Sequence, residues 1–224
     1  MSNMDTLREA VRVMADTAIE NEKYFCELDA ATGDGDFGYS LARGFESVLD
    51  KWDALDATDP AAFLREVATT LTSRLGGTSG PIWGTAFLRA GVSAGTSETI
   101  DTTSIVAMLD AAIGGIQKRG GASVGDKTLL DALCPARDEL ATWQDRSAEP
   151  AQIAVAVAAA ARAGAANTKD LIAHRGRASY VGERSLGHED PGAVAIATMA
   201  ARIAALWTSP TTDTAATQPK ETVR

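Results

Sequence analysis

Apolar residues recur along this chain at intervals of three and four positions, which is the spacing of one face of an α-helix. The first such stripe covers 5–28 and contains Leu7, Val11, Met14, Ala18 and Tyr24. The same spacing predicts further helices over 38–53, 60–75, 79–94, 102–118, 127–144, 150–173 and 190–207. No run of alternating β-branched residues competes as a strand. The pattern therefore predicts an all-α fold of about eight helices, antiparallel because most connections are short.

The breaks between these helices are rich in glycine and polar residues. Four of them stand out, at 29–38, 76–80, 119–127 and 174–192. The last is long for a compact helical domain, and long ordered loops are usually functional. We therefore expect the chemistry in the loops of a single domain over 1–207. The final stretch, 208–224, is low in apolar residues and is expected to fray.

Composition and charge limit the classes of partner that the chain can bind. The 224 residues carry a net charge of −9, and only 5% are aromatic. An acidic chain offers no electrostatic surface for nucleic acid, although a divalent metal can still bring a nucleotide to carboxylates. Cys26 and Cys134 are far apart, with no metal-binding or redox spacing, which indicates free thiols in a reducing compartment.

The chain also lacks the features of a secreted or membrane protein. Its first residues are polar and then amphipathic, without the apolar segment of a signal peptide. The longest apolar stretch, 153–161, is far shorter than the roughly 20 residues of a membrane span. We expect a cytoplasmic protein that contacts neither membrane nor nucleic acid.

Three familiar sequence motifs occur here, but none of them has the surrounding residues or secondary structure that its function requires. The GxGxxG pattern from Gly33 to Gly38 follows a helix instead of a strand, and it contains aspartates that would repel a pyrophosphate. The GxSxG pattern around Ser123 lacks the strand that a nucleophile elbow needs. The P-loop ending is broken because Asp126 stands before Lys127.

Three aspartates form the candidate metal site. Asp29, Asp34 and Asp36 lie within eight residues, and the glycines between and after them allow the chain to turn back. Carboxylates held together repel unless a hard cation such as Mg²⁺ joins them. A solvated acidic turn is the alternative that spacing alone leaves open.

Phosphate-binding groups lie in the other loops. The segment 76–80 precedes a helix and can offer backbone amides at its N-terminus. Arg175, Arg177 and Arg184 cluster in the long loop, and arginine suits phosphate recognition. Surface ion pairs are the alternative for each arginine taken alone.

Four motifs, in order, resemble one family: DGDxG, GGTSGPIWGTAFLRAG, GASVGDKTLLDAL and GRASYVGERSLGHEDPGA. The chain resembles the L subunit of dihydroxyacetone kinases over about 5–207. This resemblance implies an up-and-down barrel of about eight helices, with a nucleotide bound across the loops at one end.

The resemblance also implies site residues. Asp29, Asp34 and Asp36 would bridge a pair of magnesium ions to the phosphates of ADP or ATP, and Arg177 would steady phosphate. Nucleotide contacts would fall on Phe37, Gly38, Tyr39, Ser40, Thr78, Ser79, Gly120, Leu129, Arg177, Asp190, Pro191 and Gly192. Two positions depart from the family pattern: Phe37 replaces the usual histidine, and Ser40 stands where some members carry asparagine.

The implied reaction is phosphoryl transfer from Mg-ATP to a short ketose, dihydroxyacetone or a related C4 ketose. The ketose would sit on a separate K subunit, and we also expect a homodimer. The donor stays open between free ATP and a phosphotransfer protein that recharges bound ADP. The alternative function is a nucleotide-loaded adaptor that binds a transcription factor or kinase partner without transferring phosphate.

Overall fold

The computed structural model describes residues 3–97 and 99–208. Over this part of the chain it contains α-helices and short 3₁₀ segments and no strand, so the predicted all-α fold is confirmed. The α-helices are α1 Asn3–Glu20, α2 Glu22–Ala30, α3 Phe37–Leu49, α4 Pro60–Arg74, α5 Ser79–Ala94, α6 Thr102–Gly120, α7 Leu130–Ala141, α8 Pro150–Asn167 and α9 Pro191–Thr208. The 3₁₀ segments are Trp52–Ala54, Thr168–Asp170 and Arg177–Ser185.

The helices form a closed ring. From α3 onward each helix packs against the next in sequence, and α9 returns to α1, so the ring has no open edge. The core inside it is apolar and contains the buried rings of Phe25, Phe45, Phe63 and Trp83. Short connections make neighbouring helices antiparallel.

The predicted helix over 5–28 is divided in two at Asn21. This residue leaves the helical backbone conformation, with φ −106° and ψ 15°. Its side-chain amide donates to the carbonyl oxygen of Thr17 at 2.8 Å, a bond that competes with the regular helical pattern. The short helix α2 that follows carries the first candidate aspartate, Asp29, in its last turn.

Several other predicted boundaries shift. Helix α7 begins at Leu130 instead of 127, and α8 ends at Asn167 instead of 173. The long loop predicted at 174–192 contains the 3₁₀ segment Arg177–Ser185, kinked at Gly182. The predicted tail, 208–224, lies outside the described residues except for Thr208.

Helix α9 is long and apolar enough, by length and composition, to cross a membrane, with a mean hydropathy of 1.3. In the ring it packs against α1, α7 and α8, and its inner face includes the buried residues Val194 and Met199. This packing is that of a core helix in a helical barrel. The absence of a membrane contact stays a prediction.

Antiparallel order places alternate connections at the same end of the ring. The connections that follow α2, α4, α6 and α8 all contribute to one cavity of about 270 Å³. These are the four glycine-rich breaks of the sequence. The fold therefore gathers them at one end.

Candidate functional site

The three candidate aspartates lie together at the mouth of this cavity. Carboxylate oxygens of Asp29, Asp34 and Asp36 all lie within 4.8 Å of one another. The turn between them depends on glycine. Gly35 has φ +76°, and a Cβ at Gly33 would lie 2.3 Å from Oδ1 of Asp29. The sequence thus folds back tightly enough to form a three-carboxylate cluster.

Phe37 contributes to this cluster through its backbone. Its amide donates to Oδ2 of Asp29 at 3.2 Å. Its ring packs against Phe25 at a centroid distance of 6.3 Å, on the edge of the core. The aromatic residue at this position therefore fixes Asp29 and offers no polar side-chain group to a ligand.

Most of the predicted contact residues line the cavity. The lining includes Asp29, Asp34, Asp36, Phe37, Ser40, Thr78, Ser79, Gly120, Leu129, Arg177, Asp190, Pro191 and Gly192.

Gly38 and Tyr39 are placed outside the lining. Gly38 presses on α2, where a Cβ would lie 2.0 Å from the carbonyl oxygen of Glu22. The side chain of Tyr39 is 56% exposed, and its amide donates to Sγ of Cys26 at 3.2 Å.

Three helix N-termini open onto the cavity. Helix α3 begins at Phe37, α5 at Ser79 and α9 at Pro191, and all three residues line it. The first amides of a helix have no partner within the helix and attract anions. At α5 the preceding Gly77 has φ +59°, and the Thr78 side chain makes no capping bond.

Two of the three predicted arginines, Arg175 and Arg177, line the cavity. Nη1 of Arg177 pairs with Asp34, and it lies 3.1 Å from Oδ2 of Asp36. Nε of Arg175 lies 3.4 Å from Oδ2 of Asp126. Arg184 does not line the cavity, so the predicted cluster of three arginines is reduced to two.

The inner part of the cavity is apolar. Its walls include Ile82, Trp83, Ile116, Ala122 and Leu129. An apolar recess beside anion-binding helix ends and a carboxylate cluster suits a flat heterocycle that carries phosphate and a hard cation. The donor set fits Mg²⁺, because carboxylate oxygens are the ligands that this ion prefers.

The DAK2 domain family matches residues 31–205. This chain belongs to that family. The ADP-binding subunit DhaL of PEP-dependent dihydroxyacetone kinase 1 from Listeria innocua is 38% identical over 174 residues, which is 78% of this chain and 82% of that protein. The L-erythrulose 1-kinase of Mycolicibacterium smegmatis is 38% identical over 185 residues, but these make up 31% of its length. The predicted family resemblance is confirmed.

Solved structures agree with this assignment. The dihydroxyacetone kinase of C. freundii matches with a TM-score of 0.71 and 26% identity, over 91% of this chain. The same enzyme in complex with AMP-PNP and Mg²⁺ matches with a TM-score of 0.68. The DAK2 domain spans about a third of the length of that kinase chain, 34% in the first structure.

Lys127, the lysine that follows Asp126 in the broken P-loop pattern, lines the cavity. Its amino group donates to the carbonyl oxygens of Leu171 and Ser185. Burial lowers the pKa of Lys127, and the carboxylates of Asp190 and Asp170 oppose this shift. These partners are 44 and 58 residues away in sequence, so no local pattern could have indicated them.

Asp190, like Lys127, lies in an unusual environment. Its Oδ2 accepts from the amide of Ala193 at 2.7 Å, so it caps α9. Burial raises the pKa of Asp190 to about 7, although the Ala193 amide counteracts the shift. The neighbouring charge of Asp131 raises this pKa further, and that of Lys127 lowers it. The cavity therefore contains a carboxyl group that titrates near neutral pH.

Proposed function

We propose that this DAK2 domain, residues 1–207, is the nucleotide-binding phosphotransferase subunit of a dihydroxyacetone-type kinase. The observation that carries the proposal is the cluster of Asp29, Asp34 and Asp36, with oxygens within 4.8 Å, beside helix N-termini and an apolar recess. A solvated acidic turn would need neither of these neighbours. The names of the curated relatives, kinases and ADP-binding kinase subunits, support the same function.

Each part of the cavity has a role in this proposal. The three aspartates hold magnesium, and the first amides of α5 hold phosphate oxygens. The apolar walls accept the adenine ring. Arg177, now paired with Asp34 and Asp36, turns toward phosphate. The bound magnesium–nucleotide would supply the phosphoryl group and neutralise its charge.

The acceptor is a short ketose, dihydroxyacetone or a C4 ketose such as erythrulose, held on a separate K subunit. The relative from Mycolicibacterium smegmatis is named for erythrulose, and the subunit from Listeria innocua for dihydroxyacetone. The main contribution of this chain is to position phosphate and stabilise charge as the phosphoryl group passes to the ketose hydroxyl. A homodimer stays a prediction.

Asp34→Ala tests the metal assignment. The assay contains the purified chain, its K subunit, a ketose and Mg-ATP, and it measures ketose phosphate. Loss of a residue that only orients a metal ligand typically costs about 10–100-fold, so loss of one of the three carboxylate ligands themselves should lower turnover by about 100-fold or more. Asp50→Ala is the control, because Asp50 is exposed at the opposite end of α3.

Turnover of Asp34→Ala within a few-fold of the wild type would reject the metal assignment. Ketose phosphate formed by the wild-type protein in the same assay would favour the kinase over an adaptor. The off-rate of bound nucleotide then distinguishes the donors. Slow release favours a phosphotransfer protein that recharges ADP, and fast exchange favours free ATP.

A further inference from the structure

Lys127 occupies a position that lysine rarely accepts. Its side chain is buried, with 2% exposed, and its backbone is left-handed, with φ +60°. A buried amino group loses hydration, and a left-handed backbone is unfavourable for any residue with a Cβ. Two unfavourable features at one residue require compensating contacts.

Those contacts close a loop. The amino group of Lys127 donates to the carbonyl oxygen of Leu171 at 3.1 Å and to that of Ser185 at 2.5 Å. These carbonyls lie near the two ends of 171–187, which we call the arginine loop because it carries Arg175, Arg177 and Arg184. The hydroxyl of Ser185 also accepts from the amide of Ala173 at 2.9 Å. Lys127 thus lies in the narrow neck of this loop.

The segment that presents Lys127 is itself anchored to a helix. Asp131, buried in the first turn of α7, accepts from the amides of Gly125 at 2.5 Å and Thr128 at 2.7 Å. The arginine loop also contacts this segment directly, because the amide of His174 donates to the carbonyl oxygen of Asp126 at 3.1 Å. The position of the loop neck is therefore tied to α7 through Lys127.

We propose that Lys127 is a positioning residue that closes the neck of the arginine loop and so directs Arg177 toward the three aspartates. The inference rests on the proposed function, since it assigns Arg177 to phosphate. Lys127 acts through the loop: both carbonyl oxygens that it contacts belong to the neck, and Arg177 lies between them in sequence.

Hydrogen exchange of the ligand-free protein tests whether Lys127 holds the neck of the arginine loop closed, an arrangement that we call the clamp. Lys127→Met keeps the unbranched stem of the side chain as far as Cε and removes its donors. We expect amides of 171–187 to exchange at least about 10-fold faster in this variant, with the helices unchanged. Lys169→Met is the matched control, since it makes the same change at an exposed lysine close to the neck. It should exchange like the wild type.

Binding of Mg-ADP tests the connection to Arg177. We expect Lys127→Met to weaken binding by about 10-fold and Arg177→Ala by a similar or larger factor. The double variant should bind within about 3-fold of Arg177→Ala alone, because a clamp has no effect once its arginine is gone. Direct contact between Lys127 and phosphate would instead make the two losses multiply.

Three results would overturn the proposal: unchanged exchange over 171–187, multiplicative losses in the double variant, or loss of the folded state. Lys127→Gln is a milder change that keeps a donor, and it replaces Lys127→Met in these measurements if Lys127→Met does not fold. If both variants unfold, Lys127 serves global stability. Wild-type protein that fails to bind Mg-ADP would reject the proposed function, and hydrogen exchange would then decide on the clamp alone.

Discussion

At the scale of single residues, the cavity contains carboxyl groups in different electrostatic settings. Asp29, Asp34 and Asp36 lie at the mouth, where an arginine and a backbone amide offset their charge. Asp190 lies deeper, and burial raises its pKa to about 7 from an ordinary value near 4. The folded protein therefore binds a proton at Asp190 more tightly than the unfolded chain does.

This shift predicts how stability varies with pH. A carboxyl whose pKa is raised in the folded state stabilises the fold fully below its unfolded pKa. That contribution is lost as pH rises from about 4 to about 7. Asp190→Asn keeps the helix cap but cannot titrate. We expect the free energy of unfolding to fall less between pH 5 and pH 8 in this variant than in the wild type.

Urea unfolding of the ligand-free protein at the two pH values measures the effect. Asp59→Asn is the matched control, since Asp59 caps α4 from an identical Asp-Pro step and accepts from the amide of Ala62 at 2.7 Å. Equal pH slopes in wild type and Asp190→Asn would contradict the assignment of the titration to Asp190.

At the scale of helices, α8 approaches α7 closely beside the site. A Cβ at Gly164 would lie 2.2 Å from the carbonyl oxygen of Asp131, which is backbone and cannot turn aside. Gly164→Ala should therefore lower the free energy of unfolding by about 1–3 kcal/mol, as overpacking does. Gly114 in α6 has open space around its Cβ position, so Gly114→Ala should raise it by about 0.5–1 kcal/mol.

Chemical denaturation compares the two variants with the wild type. Each variant replaces a helical glycine by alanine. The difference between their free energies of unfolding therefore isolates the contact of the new Cβ at position 164 with the carbonyl oxygen of Asp131. If Gly164→Ala were as stable as Gly114→Ala, α7 and α8 would not be packed as closely as the structure has them.

Apolar spacing predicted the helices well because each buries a single stripe against the ring. It missed the break at Asn21 because the stripe continues across it, while the backbone of Asn21 leaves the helical conformation and its side chain bonds to the carbonyl oxygen of Thr17. It also missed the 3₁₀ segment Arg177–Ser185, which is polar and shaped by contacts at its neck.

The candidate site was predictable where its residues are close in sequence. Asp29, Asp34 and Asp36 share one turn, so spacing alone indicated a possible cluster. Lys127 depends on partners from a distant segment, so no local pattern around it indicates its role. Gly38 and Tyr39 came from the resemblance, and the structure places both outside the cavity lining.

At the scale of the whole molecule, one ligand would contact connections from all around the ring. Anything that binds the folded state alone stabilises it, by about 2.7 kcal/mol at 100 times its Kd. For a domain of this size we expect Mg-ADP to raise Tm by roughly 5–10 °C. Without a metal, the three carboxylates repel phosphate, so ADP in EDTA should give a much smaller shift.

Thermal unfolding followed by fluorescence provides this comparison, with Asp34→Ala as the variant that should lose the magnesium-dependent part. A shift of equal size in EDTA would show that nucleotide binds without the metal cluster.

The alternation of connections around the ring has a practical consequence. The connections after α3 and α7, 50–59 and 142–149, lie at the end of the ring away from the cavity. A label or surface attachment placed there would leave the cavity mouth facing solution. Orientation of the protein on a sensor could therefore be chosen without altering any residue that holds the proposed ligand.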